Sequence, residues 1–429
     1  MLVPPVGAAN LSAPDKLPGK AILPTMPVYL DNLATTPVDP RVVETMLPYF
    51  TEHFGNAASK THSFGWQAAE AVEQSRLQVA ALLGAASPRE IIFTSGGTEA
   101  NNLAIKGAAG YYRSKGTHLV TCATEHMSVL DSCKTLESRG FRVTYLPVDR
   151  FGRVDMDRLR AVVSDQTILI SVMAANNESG TIQPLEEIGA FAKERGVLWH
   201  CDAVQAVGKI PLDVDKLGVD LLSLSGHKIY GPKGVGVLYV RARRPRVRLE
   251  TQMDGGGHER GLRSGTLAVP GIVGLGKACE LSQLEMESES QQLRTFSQQL
   301  YFGLCRHLAD IRLNGHLHKR LPGALNLSFV GVDGAKLLLA LPQIALSAGS
   351  ACASSGTSSH VLKAMGLEED LIFSSLRFGL GRFNTAAEID CVKERVIEAA
   401  TALAGTSSLS EQRLDTRIAR ESFKDLHSA

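Results

Sequence analysis

Four short stretches carry residue types that do chemistry when they are buried together. In "SLSGHKIYGPKG" (223–234) an apolar run ends in His227 and Lys228. An amine shielded from water at such a strand end binds its proton less tightly and becomes a nucleophile. In "HCDAVQ" Asp202 closes another apolar run, and a half-buried carboxylate is costly unless something cationic meets it. "FTSGGTEANN" sets Ser95, Gly96, Gly97 and Thr98 between a strand and a helix, where free amides and the helix dipole form an anion cradle. "TEHMS" adds an imidazole, His126. Each stretch alone also has an ordinary reading: a glycine turn that starts a helix, an aspartate N-cap, a snorkelling lysine.

Taken together they form a set with one demanding customer. Pyridoxal 5′-phosphate requires an anion site, a carboxylate to keep its ring nitrogen protonated, a lysine to join its aldehyde, and a flat group over the ring. No metal is expected: His316 and His318 in "NGHLHKR" read as a polar loop rather than a ligand pair.

These groups must be positioned by elements that the hydrophobic pattern reveals. The apolar runs 91–94, 118–121, 142–146, 167–173, 197–202, 220–225 and 235–240 predict strands covered on both faces. Amphipathic stretches between them, such as "LEEIGAFAKERG" with its glycine stop, predict helices. Strand–helix alternation implies a mostly parallel, doubly wound α/β sheet whose ligands collect at the strands' C-terminal ends. From about Gly274 the apolar spacing of Leu293, Phe296, Leu300, Leu304 and Leu308 predicts a long helix that bridges to a smaller C-terminal domain. That domain holds strand-like runs at 324–330 and 375–383.

Composition excludes several classes. Lys plus Arg (45) and Asp plus Glu (44) nearly cancel, so nucleic acid and anionic membranes are not expected partners. No apolar stretch reaches the roughly 20 residues of a membrane helix. The seven cysteines are scattered, odd in number and never spaced C-x-x-C, which fits a reducing cytoplasm better than a disulfide framework or a zinc site. Cys352 alone lies in a Ser/Ala/Gly run, "SAGSACASSGTSS", a mobile reactive loop or a plain linker; the other six lie in or near periodic apolar stretches and are expected to be inert core residues. Residues 1–26 lack signal- and transit-peptide features and are expected to be a tail.

The stretches "YLDNLATTPVDP", "FGNAASKTHSFG", "FTSGGTEANNLAIKG", "TEHMSVLDSC", "NNESGTIQP", "DAVQAVGK", "SGHKIYGPKGVGVLYVR", "GGGHERGLRSGT", "SAGSACASS" and "SSLRFGLGRF" resemble, in order from about Val28 to Phe383, the IscS/NifS-type cysteine desulfurases. The resemblance implies a fold-type I pyridoxal phosphate enzyme: a large domain over 38–285 with a seven-stranded sheet, a small α+β domain over 27–37 plus 286–405, and a C-terminal tail or helix over 406–429. It implies that Lys228 joins the cofactor, Asp202 meets the pyridine nitrogen, Gln205 donates to the ring oxygen with Asn177 alongside, and His126 stacks and moves protons. Gly97, Thr98, Ser225 and His227 match the phosphate contacts, and Thr266 matches one supplied by the other subunit of a homodimer. Arg377 matches the grip on the substrate carboxylate, shared with Asn177, and Cys352 the cysteine that takes the sulfur. The implied reaction turns L-cysteine into L-alanine, with a persulfide on Cys352 that is passed to an acceptor such as an iron–sulfur scaffold. "ASSGTSSHVL" after Cys352 departs from the Leu-Glu-Pro-like, one-residue-longer loop of the long-loop members, and the C-terminal tail does not resemble their scaffold-docking segment. A selenocysteine lyase and a silent binding subunit are the rival readings. The first needs no reactive thiol; against the second stands the presence of Lys228, Asp202, His126, Arg377 and Cys352.

Overall fold

The structure, a computed structural model, describes residues 26–243, 246–348 and 358–405. The chain enters as a short strand, β1 (Val28–Tyr29). The seven apolar runs then become one sheet: β2 (Ile91–Thr94), β3 (His118–Cys122), β4 (Arg142–Leu146), β5 (Thr167–Ser171), β6 (Leu198–Asp202), β7 (Leu221–Ser225) and β8 (Gly236–Val240). Their order is β2-β8-β7-β6-β5-β3-β4. Pairing is parallel from β4 through β7. Strand β8 is the exception, antiparallel to both β7 and β2. Its connection from Gly226 to Val235 is shorter than the dozen or so residues a parallel crossover needs, so the chain folds back on itself.

Alternate residues along these strands serve opposite faces. Phe93, Val120, Ile170, Trp199, Leu222 and Val237 enter one buried cluster, and Ile92, Leu119, Leu169, Leu221 and Leu238 enter the other. Helices cover both faces, which is why apolar residues dominate the central runs. Gly236 has a special task. A Cβ there would stand 2.6 Å from Gly96 Cα, so only glycine lets the turn after β2 rest directly on β8.

The long helix runs from Val269 to His307, 39 residues. It starts earlier than the sequence pattern suggested, because Pro270 occupies its first turn, where a proline costs no hydrogen bond. Its first half buries Ile272, Leu275, Cys279 and Leu281 in the first of these two clusters. Its second half buries Leu293, Leu300 and Leu304 in a separate cluster with Val28, Leu30, Leu327, Phe378 and Val396. That cluster rests on an antiparallel sheet of β9 (Ile311–Asn314), β10 (Ala324–Phe329), β12 (Ser347–Ala348) and β13 (Ser375–Gly379), in the order β12-β13-β10-β9. The remaining strand, β11 (Ile344–Ala345), pairs with β1. After β1 the chain crosses between the clusters, with Leu30 in one and Leu33 in the other. Among the described residues no helix is long and apolar enough to cross a membrane.

A buried ion pair fastens the segment around residue 259 to this frame. Arg76 Nη2 and Nη1 donate to the two oxygens of Glu259 at 2.8 Å each, and Phe93 N donates to the same carboxylate at 2.7 Å. Both side chains are almost wholly buried, 3% and 2% exposed. Removing one partner leaves the other charge uncompensated. Arg76→Met is therefore expected to cost about 3–5 kcal/mol of unfolding free energy, seen as a lower urea midpoint at unchanged slope.

Candidate active site

The C-terminal ends of β2, β3, β5, β6 and β7 open into one cavity of about 290 Å³. It gathers ten of the twelve residues singled out from the sequence: Gly97, Thr98, His126, Asn177, Asp202, Gln205, Ser225, His227, Lys228 and Arg377. Thr266 is exposed and lies outside it. Cys352 lies outside the described residues. A larger opening of about 510 Å³, lined by Thr45, Glu70, Gln74, Lys277 and others, collects none of these groups.

Lys228 ends a short 3-10 turn, Gly226–Lys228, that continues the fully buried β7. Its Nζ donates to the carbonyls of Leu33 and Ala34, at 2.6 Å each. Burial, with the charges of Lys209 and Arg377 and against those of Asp31 and Asp202, pulls its pKa down to about 7. Two residues on, Tyr230 is held at φ +61°, a costly conformation for a bulky residue. Its hydroxyl is fixed on both sides, donating to Glu289 and accepting from Arg382 N.

Asp202 is 5% exposed at the end of β6. One oxygen accepts from Val204 N at 3.0 Å and the other from Asn101 Nδ2 at 2.7 Å, so it closes a turn and is not a helix cap. Asn101 Nδ2 also donates to Ser128 Oγ at 2.9 Å, and Ser128 Oγ meets His126 Nδ1 at 2.8 Å. Because Ser128 N also donates to that ring nitrogen, Nδ1 is an acceptor and the proton of the neutral ring resides on Nε2. Lost solvation, opposed by the Asp202 charge and reinforced by Lys228, holds the imidazole below its ordinary pKa. Behind them lies Glu125, wholly buried, whose carboxyl that burial pushes well above the usual carboxylate range.

The anion cradle is built from backbone. The helix Gly97–Tyr112 begins without a side-chain cap, which leaves the amides of its first turn free of intrahelical partners. Gly96 adopts φ +155°, and a Cβ on Gly97 would stand 2.6 Å from Val204 Cγ2, so both positions need glycine. Beside the cradle, His227 Nδ1 lies 3.1 Å from Thr35 Oγ1, and burial with neighbouring lysines lowers its pKa to about 4, leaving a neutral ring. Gln205 Nε2 donates to Leu33 O at 2.9 Å.

Arg377, on β13, is 1% exposed and comes from the second sheet. Its Nη1 donates to Asn177 O at 3.1 Å and its Nη2 to Asp31 Oδ1 at 2.8 Å. Nε has no partner. Ser347, in β12, donates to the other oxygen of Asp31 at 2.9 Å, and Ser359 donates to Glu178. Both flanks of residues 349–357 are thus tied beside Arg377 and Asn177.

Sequence reasoning missed Asn101, Ser128, Lys209, Asp31 and the Leu33 and Ala34 carbonyls. Asn101 had a readable signal, one helical turn beyond Gly97; a carbonyl has none, since every residue carries one. The expectation that six cysteines are core residues holds for Cys122, Cys133, Cys201 and Cys279, whose thiols burial pushes upward. It fails for Cys305, which is exposed, and Cys391, which is half-buried, because both fall on the outer faces of their helices. In "NGHLHKR", His316 Nδ1 accepts from the amides of His318 and Lys319 and so closes a turn.

A lysine at one strand end, an acid at the next and a helix N-terminus beside them on a mostly parallel sheet define a fold-type I pyridoxal phosphate enzyme. The model of the class V aminotransferase family matches residues 28–392, and the chain belongs to that family. Within it the chain falls among the cysteine desulfurases. It is 57% identical over 387 residues to the cysteine desulfurase IscS of Anaeromyxobacter sp. (strain Fw109-5), covering 90% of this chain and 95% of that protein. Among solved structures it is similar to a NifS-like protein (TM-score 0.82, 39% identity, 88% of this chain and 100% of that one). It is also similar to SspA in complex with cysteine (TM-score 0.75, 39% identity, 83% and 100%).

The residues present fit pyridoxal 5′-phosphate. The uncapped helix start offers donors to a phosphate, Asn101 Oδ1 is buried without a partner among the described residues, and Lys228 is an amine half deprotonated near neutrality. Since only the neutral amine attacks an aldehyde, borohydride-trapped adduct on Lys228 should form faster as pH rises through about 7 and level off above it. Peptide mass spectrometry of protein stripped of cofactor and then reloaded reads this out, with Lys228→Arg giving no adduct at that position.

Proposed function

We propose that this protein converts L-cysteine to L-alanine, takes the sulfur onto Cys352 as a persulfide, and hands it to an acceptor protein such as an iron–sulfur scaffold. The observation that carries the reading is a lysine amine held by two backbone carbonyls and a buried guanidinium in one cavity, supplied by two different sheets. An α-amino acid offers an amine and a carboxylate to match that pair.

Pyridoxal 5′-phosphate, when bound, supplies an aldehyde for the substrate's amine and a ring that takes up the electron pair left at the α-carbon. Gly97, Thr98, Ser225 and His227 would hold its phosphate, Asp202 its ring nitrogen and Gln205 its ring oxygen. Thr266, exposed here, would serve the neighbouring site of a homodimer. Arg377, with Asn177, fixes the substrate carboxylate in the fork geometry a guanidinium favours. Lys228 Nζ, freed of its proton near pH 7, takes the α-proton. His126 has Nδ1 engaged by Ser128, which leaves Nε2 to move a proton, and its imidazole would flank the cofactor's ring. The Cys352 thiolate attacks the substrate's sulfur. The carbon–sulfur bond breaks with its electron pair staying on the β-carbon, a proton added there makes the methyl group, and the proton held by Lys228 returns to the α-carbon to complete alanine. A free thiol nucleophile calls for a reducing compartment, so the cytoplasm is the proposed location.

Cys352→Ala should abolish alanine formation from cysteine while the cofactor's absorption band stays intact; continued alanine release would remove Cys352 from the mechanism. Arg377→Ala should raise KM for cysteine by roughly 100-fold, the factor expected for losing a charged hydrogen-bonded contact, again with the absorption band retained.

A further inference from the structure

Arg377 already has a carboxylate partner. Asp31 Oδ1 accepts from Nη2 at 2.8 Å, and Asp31 Oδ2 accepts from Ser347 Oγ at 2.9 Å. The aspartate's backbone is anchored too. It bridges to Gly379, two residues along β13 from Arg377, and its carbonyl accepts from the Tyr29 hydroxyl at 3.2 Å. The guanidinium is 1% exposed and the aspartate side chain 18%, so little water screens the pair. A second carboxylate arriving at this guanidinium meets a negative charge already hydrogen-bonded through both of its oxygens.

We propose that Asp31 is a built-in competitor in the carboxylate subsite, which weakens the binding of amino acids so that product leaves. The proposal rests on the reading of Arg377 as the substrate's carboxylate partner. Whether the incoming anion displaces Asp31 from Nη2 or shares the guanidinium with it, like charges on one cation lower the affinity. The penalty applies equally to L-cysteine and L-alanine, since both carry the same carboxylate. It acts as a uniform effect on binding and favours release of product.

The test compares L-alanine with ethylamine, which is alanine without its carboxylate, as inhibitors of the holoenzyme. Asp31→Asn keeps the size and the acceptor for Arg377 but removes the charge. Its Ki for L-alanine should fall by roughly tenfold, equivalent to about 1.4 kcal/mol, and KM for L-cysteine should fall with it, while ethylamine binds as in the wild type. Asp31→Glu, which keeps the charge, should stay near the wild-type value. A purely supporting role predicts the opposite sign: loosened geometry at Arg377 weakens alanine. An unchanged or higher Ki for alanine in Asp31→Asn would overturn the proposal. Should that variant lose the cooperative melting of the wild type, Asp31→Ser takes its place with the same expectation. Should wild-type enzyme bind alanine no better than ethylamine, the Arg377 subsite itself is refuted and the competitor falls with it. Discrimination in the wild type with no shift in the variant refutes the competitor alone.

Discussion

Two backbone oxygens, those of Leu33 and Ala34, hold the Lys228 amine, and the cavity is organised around the strip of chain that presents them. A lysine brought out of water needs acceptors, yet a full carboxylate contact would keep it protonated and inert. Carbonyls satisfy the hydrogens without supplying a whole charge. The same strip gives Leu33 O to Gln205 and the Asp31 carboxylate to Arg377. One run of four residues therefore fixes both cations of the cavity and the amide beside them. Its own position comes from burial, since Leu30 and Leu33 are embedded in different apolar clusters on either side.

The division of charge follows from that placement. Lys209 and Arg377 press on Lys228 from the cationic side while Asp31 and Asp202 draw the other way, and desolvation outweighs them all. Glu125 shows how a nearby acid is held back from ionising: burial first, and the Asp202 charge with it, push its carboxyl well above the usual range. His126 is linked to Asp202 through two neutral side chains, Asn101 and Ser128, so the acid can orient the ring without pairing with it directly. The cavity thus sets an amine, an imidazole and a guanidinium in distinct states within a small volume.

Much of this was legible in the residues themselves. The seven apolar runs mark the central strands to within a residue or two at either end, because a strand covered on both faces is dominated by apolar side chains and holds only small or hydrogen-bonded polar ones such as Ser223 and His200. Lys228, Asp202 and Gly97 were legible because each closes a run or opens a helix. The reversal of β8 was not, since hydrophobic pattern carries no direction; only the short connection after Lys228 does. The start of the long helix was misread because Pro270 looks like a breaker until its place in the first turn is known. Asp31 was visible as part of a motif but had no role there, because its partner, Arg377, is 346 positions away in sequence.

The helix from Val269 to His307 has a mechanical consequence. One unbroken rod, with no proline beyond its first turn, is embedded at one end in the large sheet's apolar cluster and at the other in the small sheet's. Lys228 belongs to the first and Arg377 to the second, so the spacing between the two cations is set by a strut rather than a hinge. Swinging the sheets apart would mean tearing one half of that strut from its bed. Traffic of small molecules in and out must then be met by side chains and surface turns, with the two halves of the vessel staying at fixed gauge.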